Sequence, residues 1–226
     1  MLRVGPGLCL GWAGQAVPLP GTPQAAAILA DLGIGCVTLA NNYALDYGYA
    51  ALADTIDYLT RSGIRVVGAG ADLQQARAPV LLQVRGTQVA VLGITGHPAD
   101  FAAAPANPGA AYANLAAAVP QWLTSGVRGL AADGELVLVM PHWGPNMTTR
   151  PRPYIRAAVG ALVAAGAALV AGHSAHVFHG VAGRVLFDMG DFIDDYATNP
   201  LLRNDLGLPF MVTLDGQHLS GSRRCR

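Results

Sequence analysis

The sequence predicts an α/β fold with a largely parallel sheet and one antiparallel element. Three observations point there. Short apolar, β-branched runs such as Val137-Leu138-Val139 and Leu169-Val170-Ala171 alternate with stretches whose apolar residues recur at helical spacing. A hairpin signal, Arg85-Gly86-Thr87, sits between two strand-like runs in the middle of the chain. Three of the apolar runs lead into a residue able to ligate a metal, as expected of a sheet whose carboxyl edge carries a site.

Taken in order, residues 1–21 are broken by Gly and Pro and read as irregular. Pro23 opens a helix to Asp31, since proline suits the first helical position. Residues 36–39 form a strand that leads to Asn41-Asn42-Tyr43. Between Gly48 and Ser62, Leu52, Ile56 and Leu59 share a helical face, and Gly63 supplies the left-handed residue that ends the helix. Residues 65–68 are a strand. Asp72 caps a short helix that stops before Pro79. Residues 80–84 and 88–94 form the hairpin, and 95–110 read as loop. Residues 115–132 read as mainly helical, interrupted near Pro120 and Gly126. Residues 135–140 are a buried strand running into Pro141-His142-Trp143-Gly144. Residues 152–165 form a helix with Ile155, Val159 and Leu162 on one face. Strands at 168–171, 184–189 and 210–214 follow, the last being the final strand. The expected division is an irregular segment 1–21, one domain over 22–216 and a C-terminal tail over 217–226, whose basic end Arg223-Arg224-Cys225-Arg226 is expected to be solvated.

Composition narrows the function. Of 226 residues 52% are hydrophobic and 12% charged, so the chain can bury a sizeable core. Formal net charge is zero, which gives no basic field for nucleic acid. The 14 basic residues are all arginine; without lysine, Schiff-base chemistry and a P-loop are excluded. The 3 cysteines, Cys9, Cys36 and Cys225, are too scattered for a zinc knuckle or a disulfide framework. No apolar run reaches the roughly 18 residues of a transmembrane helix. A reducing, cytoplasmic setting is the default expectation for this chain.

Chemistry concentrates in the histidines. Of 6 in the chain, three fall in Gly172-His173-Ser174-Ala175-His176 and His179. Neutral imidazoles three apart can share a metal, and Gly172 would let the backbone approach whatever is bound. Asn42, His142 and His173 each follow an apolar run, so a parallel sheet gathers them at one edge. Imidazole with an amide oxygen suits zinc, iron or manganese, and such sites activate water as a nucleophile. Asp46 and Asp191 occupy similar loops; Asp46 either joins the site or orders its turn and caps the helix from Gly48. Arg150 and Arg152 either contact phosphate or carboxylate or lie solvated beside the next helix. His97 and His218 stand alone and suggest surface or structural roles. Trp143 reads as core.

Several motifs then converge on one family. Leu39-Ala40-Asn41-Asn42-Tyr43-Ala44-Leu45-Asp46-Tyr47-Gly48 resembles its Leu-Ala-Asn-Asn-His-Ala-Leu-Asp-Tyr-Gly block. Val67-Gly68-Ala69-Gly70 with Ala76-Arg77-Ala78-Pro79 resembles the next block. His142-Trp143-Gly144, Gly172-His173-Ser174-Ala175-His176 and Gly190-Asp191-Phe192-Ile193-Asp194-Asp195-Tyr196 resemble the later ones. The family is CapA, the poly-γ-glutamate capsule synthesis proteins, and the likeness runs from about residue 23 to 214. It implies the calcineurin-like metallophosphoesterase fold, a two-sheet sandwich flanked by helices, in which a metal-activated water attacks phosphorus.

The resemblance makes Asn42, His142, His173 and His176 metal ligands for one or two divalent Mn, Zn or Fe ions. It places Tyr43 and Asp46 beside the chemistry, Tyr43 standing where the family usually has a histidine that assists as an acid. A phenol, with a reference pKa near ~10, donates protons less readily. The family's opening Gly-Asp and Asn-Leu-Glu blocks, which supply acidic ligands, have no counterpart here, so the fold is expected to be incomplete at its N-terminus. The expected function is a metal-dependent phosphoesterase-type hydrolase linked to capsule polymer synthesis, acting on a small molecule or an anionic polymer. The alternative is a non-enzymatic accessory protein in polymer assembly or export, with Arg150 and Arg152 on carboxylates. Family members are often membrane-anchored and extracytoplasmic.

Overall fold

A computed structural model describes residues 22–192, 198–215 and 218–224. Its centre is a six-stranded sheet. The strands are β4 (Val80–Val84), β5 (Thr87–Thr95), β7 (Leu136–His142), β8 (Leu169–Ala171), β9 (Gly180–Ala182) and β10 (Val185–Asp188), in the order β4-β5-β7-β8-β10-β9. The middle four run parallel, and β4 and β9 close the two edges antiparallel. The predicted hairpin is β4–β5: Val84 pairs with Thr87, and Arg85 and Gly86 both take positive φ, as a two-residue primed turn requires.

The strand sequences explain the layering. β7 is buried along its whole length. Its alternate residues serve two cores: Val137 and Val139 face one, Leu136, Leu138 and Met140 the other. A strand covered on both faces must be apolar throughout, which is why it reads as a continuous run rather than an alternation. The first core is completed by α4 (Gln121–Ala132) through Leu123 and Val127, and by α5 (Pro153–Ala165) through Ile155, Ala158 and Leu162. Pro153 starts α5, and Gly166, at φ 113°, ends it in the left-handed conformation.

The second core brings in further strands. Val67 of β2 (Arg65–Val67) and Phe210 and Val212 of β11 (Phe210–Asp215) pack with Leu138, Leu169 and Leu186. β2 pairs in parallel with β1 (Cys36–Thr38). Outside that pair lie α1 (Gln24–Asp31) and α2 (Gly48–Arg61), whose Ala26, Leu29 and Leu59 cover Val37 and Ile64. The result is the predicted α/β sandwich: helices, a strand layer, the six-stranded sheet, helices. The strand layer and the main sheet meet backbone to backbone. A Cβ placed on Gly93 of β5 would lie 2.5 Å from Thr38 Oγ1 and 3.2 Å from Gly68 Cα.

Shorter elements tie the edges. β3 (Ala69–Gly70) pairs with β6 (Gly109–Ala110), inside a stretch expected to be loop. α3 (Leu73–Arg77) is capped as predicted, Asp72 Oδ1 accepting from Gln75 N–H at 2.8 Å. Two expectations are corrected. α4 begins after Pro120, which fixes the entry backbone, and runs through Gly126 without a break. The strand at 210–214 is not the last: β12 (His218–Arg224) pairs antiparallel with β11, because Phe210 and Val212 make β11 a core strand whose backbone needs a partner. Among the described residues no helix is long and apolar enough to cross a membrane.

Candidate metal centre at the carboxyl edge of the sheet

The parallel strands deliver their last residues to one edge. Thr95 of β5 is in register with His142 of β7, and His142 bridges to His173, just beyond β8. The ladder continues one step past the strands, His173 N–H donating to Pro141 O at 3.0 Å and Trp143 N–H to His173 O at 2.9 Å. Neighbouring strands in register set equivalent side chains beside each other. The two rings therefore meet, with Nδ1 of His142 and Nδ1 of His173 3.2 Å apart.

Both imidazoles are held neutral. Burial pushes His173 down to about 4, with the nearby His176 and His97 adding to the effect. Burial, then His173, His97 and His176, hold His142 well below the ordinary histidine range. Neutral imidazole is the form that ligates metal. Two ligands at the usual ~2.1 Å from one ion stand roughly 3.0–3.4 Å apart for octahedral to tetrahedral angles. The observed separation lies in that range.

A third ring was not foreseen. His97 follows β5 and lies with its ring centroid 4.8 Å from that of His142. Its Nε2 is 3.3 Å from Ser174 Oγ, which donates to Gly144 O at 3.0 Å. Thr95 Oγ1 donates to the His97 carbonyl at 2.5 Å and pins this corner. Burial lowers the His97 pKa, and the Gly144 carbonyl partly offsets this. The sequence signal was its place just past the β5 run, two residues beyond Thr95, which is in register with His142.

The Gly-His-x-x-His loop is held from below. Asp188, at the end of β10, accepts Ala175 N–H at 2.8 Å and Gly190 N–H at 2.9 Å. Burial pushes its carboxyl up to about 7, against those two hydrogen bonds. Next to it, His176 Nδ1 lies 2.7 Å from Asp191 Oδ1. His179 Nε2–H donates to Thr148 O at 2.6 Å and links this loop to the one after Gly144. Sequence reading missed Asp188, since an aspartate closing an apolar run looks like an ordinary strand end.

Gly172 is also required by packing. A Cβ there would come within 2.4 Å of both Phe187 O and Trp143 Nε1. The Trp143 indole, 1% exposed, crosses beneath it and donates to Phe187 O at 2.8 Å. The glycine thus makes room for the core tryptophan, whose backbone N–H donates to His173 O.

The other predicted residues each have their own local setting. Asn42 Oδ1 is buried with no hydrogen-bond partner among the described residues, and no hydrogen bond there links Asn42 to the histidines. Tyr43 N–H donates to Asn41 Oδ1 at 2.9 Å, an Asx turn that shapes the loop. Asp46 is exposed, with its carboxyl raised by partial burial. It does not cap α2, whose N-cap position is Tyr47 with no side-chain capping hydrogen bond. Arg150 and Arg152 are exposed, Arg152 at the N-cap of α5. The side chain of His218 lies outside the described residues, as do Ile193, Asp194, Asp195 and Tyr196.

The donors present fit half a metal site. Two neutral imidazole nitrogens converge, His142 Nε2 is buried without a partner, and Asn42 and Asp191 each carry a buried oxygen without one. Such N and O donors suit a divalent transition ion. Among the described residues, however, no three His, Cys, Asp or Glu side chains converge to hold an ion.

Comparison with known proteins bears on the family. The profile of the family described as "Bacterial capsule synthesis protein PGA_cap" matches residues 10–196. This chain belongs to that family. It is 32% identical over 197 residues to a "Probable polyglutamine synthesis accessory protein" of Mycobacterium tuberculosis, covering 78% of this chain and 50% of that one. It is 29% identical to the "PGA biosynthesis protein CapA" of Bacillus subtilis, over 81% of this chain and 48% of that one. With the "Capsule biosynthesis protein CapA" of Bacillus anthracis it shares 30% identity, over 73% and 41%. The chain spans about half the length of these curated relatives.

Proposed function

We propose that this chain serves the synthesis of a poly-γ-glutamate-type capsule polymer as a metal-dependent hydrolase of phosphoester-type bonds. The first part is supported by the relatives, two of which are named for biosynthesis of PGA or of capsule. The second is carried by one observation, the facing Nδ1 atoms of His142 and His173 at 3.2 Å. Two buried neutral imidazoles side by side are a poor arrangement for stability alone, since each loses hydration and they share one proton. As a ligand pair they are ready-made.

In this reading His142 and His173 hold a Mn, Zn or Fe ion, with His176 and the Asn42 amide as further donors. The ion would supply a water acidic enough to act as a nucleophile near neutral pH. The chain's own groups do the rest. Trp143, wedged under Gly172, ties the segment after His142 to His173 through its backbone N–H on His173 O. His97 lines the same edge with its Nε2 on Ser174, where a proton could be held near a leaving group. The exposed Arg150 and Arg152 supply cations for an anionic substrate.

The test is hydrolysis of an aryl phosphodiester and an aryl phosphomonoester with added Mn²⁺ or Zn²⁺, for the wild type and for His173→Ala. The expected result is metal-dependent turnover lowered at least 100-fold in the variant. Turnover that ignores both chelator and substitution contradicts the proposal. A second reading draws on Arg150 and Arg152, both exposed and without an ion-pair partner among the described residues: a binding role on polyglutamate carboxylates. Salt-sensitive binding of polyglutamate, untouched by chelator and lost in the double alanine variant, would favour it.

A further inference from the structure

His176 stands in the left-handed region at φ 63°, two residues after Ser174 at φ 127°. Non-glycine residues hold such conformations where their surroundings over-determine them. Here two carboxylates do so. The two oxygens of Asp188 take the N–H groups of Ala175 and Gly190, so one buried side chain joins the loop of His176 to the loop of Asp191. The joined loops bring Asp191 Oδ1 to 2.7 Å from His176 Nδ1.

A carboxylate accepts and does not donate. The proton in this bond is therefore on Nδ1, and in the neutral ring the lone pair is then on Nε2. Asp191 Oδ2, by contrast, is buried and has no hydrogen-bond partner among the described residues. A carboxylate present only to knit loops together would use both oxygens, as Asp188 does. Among the described residues its hydrogen bonding is thus directed at the His176 imidazole.

We propose that Asp191 is the positioning residue of His176: it locks the Nδ1–H tautomer and so delivers Nε2 as a lone pair for a divalent cation. Asp188 holds the two loops in the relation this requires. The Nδ1–H of the neutral ring follows from the contact with Asp191; the cation rests on the reading given above. Metal-ligating histidines are commonly oriented through their second nitrogen in this way, and losing the partner costs about 10–100-fold in metal affinity.

The test uses the full chain, ¹⁵N-labelled and freed of metal by chelator, with two-bond ¹H–¹⁵N spectra of the histidine rings. The expected result is Nδ1–H for His176 in the wild type. In Asp191→Ala the ring shifts toward the Nε2–H form that free imidazole favours. Asp191→Asn, which preserves shape, serves the same purpose if the truncation unfolds the loop. In parallel, zinc titration should show affinity about 10–100-fold weaker in the variant at unchanged melting temperature. An Nε2–H His176 in the wild type, or a tautomer indifferent to Asp191, overturns the inference whether or not zinc binds. Equal zinc affinity in wild type and variant overturns its metal half. A wild type that binds no zinc, with the tautomer as expected, contradicts the metal reading and supports Asp191 as the residue that positions His176.

Discussion

Gly172 shows how much one residue carries. Only hydrogen fits between Phe187 O and the Trp143 indole, each 2.4 Å from a would-be Cβ. Gly172→Ala should therefore displace Trp143, break its bond to Phe187 and destabilise the fold by about 1–3 kcal/mol. Urea denaturation measures the loss, and Trp fluorescence should report the moved indole. A variant as stable as wild type, with unaltered fluorescence, contradicts this packing. At this scale the sequence was partly legible. His142 and His173 were found because each follows an apolar run, and a parallel sheet brings such ends together. His97 was passed over because its strand was read as ending at 94, one residue short, and a lone histidine carries no spacing to interpret. The Gly172 contact was illegible, since it depends on an indole reaching across from a neighbouring strand.

At the scale of elements, the decisive contact is the crossing of the two strand layers at Gly68 and Gly93. Gly93→Ala would set a methyl 2.5 Å from Thr38 Oγ1 and against Gly68 backbone. β1 must then move, and with it the Asn41–Asn42 loop that follows. The expected outcome is a drop of about 1–3 kcal/mol in stability, eased when Thr38→Ala is added. Additive losses in the double variant would argue against direct contact. Elements with long periodic or fully apolar sequences, α2, α5 and β7, were legible because burial on one face or both leaves a clear pattern. β6 and β9 were not: two- and three-residue strands are defined by partners distant in sequence. β12 was not foreseen after the strand at 210–214 since His218–Arg224 is polar, and its strand character comes from pairing with β11.

For the whole molecule, the buried site couples stability to pH. Folded His173 takes its proton near 4 instead of 6.5, so the unfolded chain binds protons first and acidification through that window destabilises the fold. Asp188 acts oppositely. Its folded carboxyl protonates near 7 instead of 3.8, so acidification across that window favours the fold. At roughly 1.4 kcal/mol per pKa unit, each contribution is a few kcal/mol and the two nearly offset. His142, also held well below its ordinary range, decides the sign. Metal-free protein should thus lose stability from pH 6.5 to 4.5 in urea titrations, and Asp188→Asn should steepen the loss. Stability that rises on acidification contradicts the assignment of buried neutral histidines.

The central claim is that His142 and His173 face each other to hold a divalent ion. Its most direct measurement is calorimetric titration of the chelator-treated chain with Zn²⁺ and Mn²⁺, beside His142→Ala and His173→Ala variants shown to be folded by circular dichroism. The account predicts saturable binding by the wild type, weakened at least 100-fold by either substitution. A wild type that binds neither ion, or variants that bind as well as it does, would contradict it.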